Sequence, residues 1–112
     1  MLKMDRIENI ILRNLVFKES YLRKVLPFIE PSYFNNREER VIYEQIAKYA
    51  VSYDSLITPE ILSIEVENRN DVSQEELVNI NKLINTLEDV ECDFDWIVDT
   101  TEKWCRDRAI YL

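Results

Sequence analysis

The stretch Val72-Ser73-Gln74-Glu75-Glu76-Leu77 decides how the chain is to be read. Ser73 followed three residues later by Glu76 is a capping box, in which each side chain accepts a hydrogen bond from the other residue's backbone N–H. Val72 and Leu77 stand on either side as a hydrophobic staple, and Leu83, Ile84 and Leu87 continue the helix that the box begins. Just upstream, Thr58 is placed to cap a second helix with Pro59 at its first position, where the missing N–H costs nothing. Ile61, Leu62 and Val66 then fall on one side, and Asn68 to Asp71 ends that helix.

Outward from this pair the same period recurs. Asn36 with Glu39 reads as a capping-box variant opening a helix whose face is Val41, Ile42, Ile46, Tyr49, Ala50 and Tyr53. A first helix is expected from about Asp5, with Ile7, Ile10, Ile11 and Leu15 at helical spacing, and Ser20 to Leu26 as another short one. Pro27 and Pro31 bracket Phe28-Ile29-Glu30 as an apolar connector that interrupts any long helix. The last helix is expected from about Phe94, carrying Ile97, Val98, Thr101, Trp104, Cys105 and Ala109 to Leu112 without a stop signal, as though truncated. No alternating pattern long enough for a strand is present. The expectation is therefore a single domain over residues 1–112, an all-α, compact orthogonal bundle of about six helices.

Composition removes whole classes of chemistry. Ordinary usage would put about eight glycines in 112 residues, and there are none. A P-loop, a dinucleotide fingerprint and an EF-hand loop all require glycine, so none can be written in this chain. Histidine is absent as well, which removes the commonest general base and zinc ligand. Cys92 and Cys105 alone cannot complete a four-ligand zinc site. The carboxylate pairs Glu75 with Glu76 and Asp93 with Asp95 have no partner that would force their pKa values apart. No catalytic residue, cofactor site or metal site is expected. Nor does any stretch reach the roughly 18 apolar residues of a membrane span. The segment Met1 to Asp5 leads into no signal-peptide core. A cytoplasmic protein is expected.

Net charge is −8, and it is uneven: residues 1–50 carry nine bases against seven acids, residues 51–112 five against fifteen. Glu88, Asp89, Glu91, Asp93, Asp95 and Asp99 crowd a segment without a single base, which repels bare DNA. A cation site, a nucleic-acid mimic and a dock for a basic protein are all conceivable there. A solvated acidic helix start, opposing the helix dipole, is the simplest reading. Tyr33, Phe34, Tyr43, Tyr49 and Tyr53 read as core rather than as a stacking platform for bases, since few cations accompany them.

The last helix supplies the candidate partner-binding residues: Trp96, Trp104, Arg108 and Tyr111. Trp96 and Trp104 stand eight residues apart, about 80° beyond two full turns, so at most one points straight into the core. The other, with Tyr111, is a candidate for a partner surface, because tryptophan is enriched among interface anchors. Arg106 and Arg108 suit the negative end of the helix dipole. Cys105 reads as a buried, inert thiol.

The run Pro31-Ser32-Tyr33-Phe34 followed by Arg37, Arg40, Val41-Ile42-Tyr43 and Ile46-Ala47 resembles the amino-terminal domains of DnaB-type replicative helicases. The likeness continues through Leu56-Ile57-Thr58-Pro59-Glu60-Ile61-Leu62. In the T-even phage branch of that family it takes in Glu8-Asn9-Ile10-Ile11-Leu12 with Leu15-Val16-Phe17 and Tyr21 at the start. At the end it takes in Trp96-Ile97-Val98 with Thr101-Glu102-Lys103-Trp104 and Arg108-Ala109. No single match is chemically sharp; their collinear order over residues 7–112 carries the resemblance.

It implies a non-catalytic collar domain of a hexameric, ATP-dependent DNA helicase. Such domains pair with other subunits and help recruit primase. ATP and Mg belong to a separate RecA-like domain of the parent protein, and neither nucleic acid nor membrane is an expected direct partner of this domain. The parent would work in the cytoplasm of a phage-infected host. An alternative of a different class is a free-standing acidic helical phage protein that occupies a host protein's DNA-binding cleft as a mimic.

Overall fold

A computed structural model describes residues 6–110. Six α-helices follow in order: α1 (Ile7–Phe17), α2 (Glu19–Val25), α3 (Arg37–Tyr53), α4 (Pro59–Glu67), α5 (Gln74–Asn85) and α6 (Phe94–Ile110). Two 3-10 turns, Leu26–Phe28 and Pro31–Tyr33, occupy the proline-bracketed connector. No strand occurs among the described residues. The all-α bundle expected from the sequence is what forms. Asp5, the expected first cap, lies outside the described residues, and Arg6 precedes α1 without a side-chain cap bond.

The start signals that decided the reading are made as written. Ser73 Oγ accepts from the Glu76 N–H at 3.1 Å, and Glu76 Oε1 accepts from the Ser73 N–H at 3.0 Å. Val72 and Leu77 are both half-buried against the core. Thr58 Oγ1 accepts from the Ile61 N–H at 3.2 Å, with Pro59 in the first turn. α5 ends at Asn85, earlier than expected, yet Leu87 remains buried in the segment that follows.

The Asn36 cap does not form: its side chain bonds no N–H of α3, and Glu39 is turned inward as one of the few buried acids. Glu39 forms an ion pair with Arg6 at 3.1 Å instead, because a buried carboxylate needs a cation more than it needs a second backbone donor. Tyr53 is also corrected, being 69% exposed, since the last turn of α3 runs past the end of the core. Ala109 likewise points to solvent near the end of α6. Asp54 ends α3 in the left-handed region at φ 50°, a position glycine would take in most chains.

α3 is the hub, packing against α1, α4 and α5, while α6 lies on α2 and the second 3-10 turn. The connector is pinned from α3: Tyr43 donates its hydroxyl proton to the Ile29 carbonyl at 3.0 Å, and Arg40 donates to the Phe34 carbonyl at 3.1 Å. Burial of its phenol pushes the Tyr43 pKa upward, so it stays a donor at any physiological pH.

Candidate functional site

α6 owes its position to one apolar stripe and one aromatic contact set. Ile97, Val98, Thr101, Trp104 and Cys105 recur at three- and four-residue spacing and are all buried. Trp104, only 7% exposed, has its ring centroid 4.9 Å from Phe34 and meets Tyr33 edge-on at 6.0 Å, while Phe34 stacks on Tyr43 at 5.3 Å. This aromatic set joins α6 to the connector and α3, and such pairs add to the area they bury. Thr101 anchors the middle of the helix: its hydroxyl lies 2.6 Å from Tyr21 Oη of α2 and donates to the Ile97 carbonyl at 2.6 Å.

The last turn of α6 is held by charge. Arg108 places its guanidinium 5.5 Å from the Trp104 ring centroid and donates to Glu8 Oε2 at 2.8 Å. Glu8, buried at the start of α1, also faces Arg6 at 3.4 Å, and Arg6 reaches Glu39 at 3.1 Å. Two buried carboxylates thus share two arginines across α1, α3 and α6. Burial raises the pKa of Glu39, the Arg6 charge opposing that shift and Glu8 adding to it.

The four candidate partner residues therefore separate. Trp104 and Arg108 are committed to the interior of the fold and its clasp. Trp96 is 51% exposed, with its backbone N–H bonded to Asp93 Oδ1 at 2.8 Å. Tyr111 lies outside the described residues. At seven-residue intervals Lys103 and Ile110 follow Trp96 on the outer side of α6, and all three are exposed. The expectation that only one tryptophan enters the core holds.

The Cys105 thiol is buried and pushed up to about 11, chiefly by desolvation, which leaves it protonated and unreactive at neutral pH. Among the described residues no group of three or more Cys, Asp or Glu converges as a metal site would. The acidic run is spread over the surface. Asp93 caps α6 and Asp89 pairs with Lys18 at 2.8 Å. Of the five aromatics weighed as a stacking platform, Phe34 and Tyr43 are core, Tyr33 and Tyr49 half-buried, and Tyr53 exposed. Among the described residues no helix is long and apolar enough to cross a membrane.

The charge clasp escaped sequence reasoning. Glu8 and Arg108 are a hundred residues apart, Arg108 satisfied a dipole rule locally, and Glu39 satisfied a capping pattern. The only local hint was Glu8 itself, an acid between the apolar positions of a short helix.

No family model matches the chain. It is similar to a DnaB-like replicative helicase of Enterobacteria phage T4, with 29% identity over 102 residues that make up 91% of this chain. The chain spans 21% of that relative's length. The resemblance drawn from the order of helix motifs is thus matched by an alignment that runs through nearly all of the chain.

Proposed function

We propose that residues 1–112 are the amino-terminal collar domain of a phage replicative DNA helicase. In this reading it is an interaction module without chemistry of its own, which pairs with other subunits of the hexamer and recruits primase. The parent protein would unwind duplex DNA at the replication fork in the host cytoplasm, with ATP and Mg bound by a RecA-like domain elsewhere in its sequence. The observation that carries the proposal is the 29% identity to the phage helicase across 91% of this chain. Three features support it. The fold is all-helical; the buried thiol and tyrosines have pKa values moved away from neutrality; and the outer side of α6 presents Trp96 and Ile110 to solvent. A negatively charged second half disfavours direct contact with DNA and leaves protein partners as the better fit.

Light scattering of the 112-residue chain, alone and mixed with its cognate primase, tests the proposal. The expected result is a complex with primase that Trp96→Ala weakens while helical circular dichroism is unchanged, and no ATP hydrolysis by the chain. Failure to associate with either primase or helicase, or ATP turnover by the pure chain, would overturn it.

A further inference from the structure

α6 carries a second seam, on the flank next to the connector and beside the stripe that Trp96, Lys103 and Ile110 form. Asp99, Glu102, Arg106 and Ala109 recur at three- and four-residue spacing, so they stand one above another on one side of the helix. Asp99, Arg106 and Ala109 are exposed and Glu102 is half-buried. Glu102, Cys105, Arg106 and Ala109, with Phe28 and Tyr33 of the connector, line a groove of about 400 Å³. Phe28 is 51% exposed there, a large apolar side chain left in water. Among the described residues no ion pair or hydrogen bond engages the side chains of Asp99, Glu102 or Arg106. Arg108, by contrast, is already held by Glu8.

The order of charge along α6 specifies what can cover this seam. Residues 94–101 carry Asp95 and Asp99 and no base, whereas residues 102–110 carry Lys103, Arg106 and Arg108 against Glu102 and Asp107. A uniformly basic surface would meet Arg106 with like charge, and a uniformly acidic one would do the same to Asp99 and Glu102. A helix with the same order of charge, running the opposite way, satisfies both ends and opposes the two macrodipoles. A second copy of α6 is such a helix. Glu102–Arg106 and Asp99–Ala109 share a midpoint at Trp104, so one two-fold axis there sets each residue opposite the other member of its pair. Arg106 then faces Glu102 of the other copy with that copy's Asp99 one turn away, and Ala109 is small enough to let the backbones approach. The acidic run from Glu88 to Asp95 falls beyond the overlap, at opposite ends of the pair, where it does not face itself.

We infer that two copies of this chain pair through the Asp99–Glu102–Arg106–Ala109 seam of α6, antiparallel and two-fold symmetric, with each Arg106 on the other copy's Glu102 and Phe28 covered at the edge of the contact. The inference rests on the reading of this domain as one that pairs with other subunits. It assigns the pairing to a flank of α6 that leaves Trp96 open to a different partner.

Sedimentation equilibrium of the 112-residue chain, at concentrations up to about 1 mM so that a weak dimer is populated, tests it. A closed dimer is expected. Arg106→Glu and Glu102→Arg, both outside the core, are each expected to weaken it at least about tenfold with unchanged helical circular dichroism. The double variant, which exchanges the two charges, is expected to recover most of that loss, and Phe28→Ala to weaken the dimer in its own right. A chain that stays monomeric, an open-ended assembly, single variants that dimerise as the parent does, or a double variant no better than the singles would each overturn the inference. A monomeric chain that still binds primase would remove this pairing surface and leave the collar reading standing, whereas a chain that neither pairs nor binds primase or helicase would remove both.

Discussion

Replacing Arg108 by Met removes the guanidinium that lies 5.5 Å from the Trp104 ring centroid while keeping an unbranched aliphatic side chain. Its partner Glu8 is buried, and after the change its carboxylate retains only Arg6, at 3.4 Å and on a half-exposed side chain. Removing one partner of a buried, charge-assisted bond costs about 1.5–5 kcal/mol. The lower part of that range applies because Arg108 keeps some solvent contact and Arg6 remains. A loss of about 2 kcal/mol is therefore expected in urea unfolding, with an unchanged slope, and a fall in Tm of about 10 °C. Glu8→Gln in the Arg108→Met background should restore part of the loss, since a neutral amide tolerates burial without a cation. The coupling energy of the cycle is expected at roughly 1–2 kcal/mol. A single variant within about 0.5 kcal/mol of the parent chain, or two strictly additive changes, would refute the view that this pair closes the last turn of α6.

Three further outcomes follow from the same structure. Glu39 has a folded-state pKa raised by burial, so the folded chain holds that proton more tightly than the unfolded one and loses stability as pH rises past the ordinary value of 4.5. Glu39→Gln should therefore grow more favourable relative to the parent from pH 4 to pH 8 in denaturant titrations, and a difference independent of pH would contradict that assignment. Ser73→Ala should cost about 1 kcal/mol in the same assay through loss of the α5 cap, and a neutral outcome would mean that α5 does not depend on its box. Trp96→Phe should leave blue-shifted emission that iodide quenches poorly, whereas Trp104→Phe should leave red-shifted, readily quenched emission; the reverse would exchange their assigned environments.

What the sequence made legible was whatever depends on three or four consecutive positions. The Ser73–Glu76 box, the Thr58–Pro59 start and the burial of one tryptophan in α6 are local consequences of helical geometry, and each formed as read. The failures share a cause. Asn36 and Glu39 have the spacing of a cap, but spacing cannot show that Arg6, at the start of α1, offers Glu39 a better partner. Tyr53 and Ala109 continue apolar stripes beyond the point where another helix is present to cover them, and periodicity carries no record of where the neighbour ends. For the candidate site, the division of labour between Trp96 and Trp104 was legible. The use of Arg108 inside the fold was not, because its partner lies a hundred residues away.

The size of the natural protein tests the central claim most directly. An antibody raised against residues 1–112 should detect, in cells that express the protein natively, a species several-fold heavier than 13.5 kDa, as the chain's 21% share of the phage helicase predicts. A band at 13.5 kDa alone would contradict the collar-domain account and favour a free-standing acidic protein.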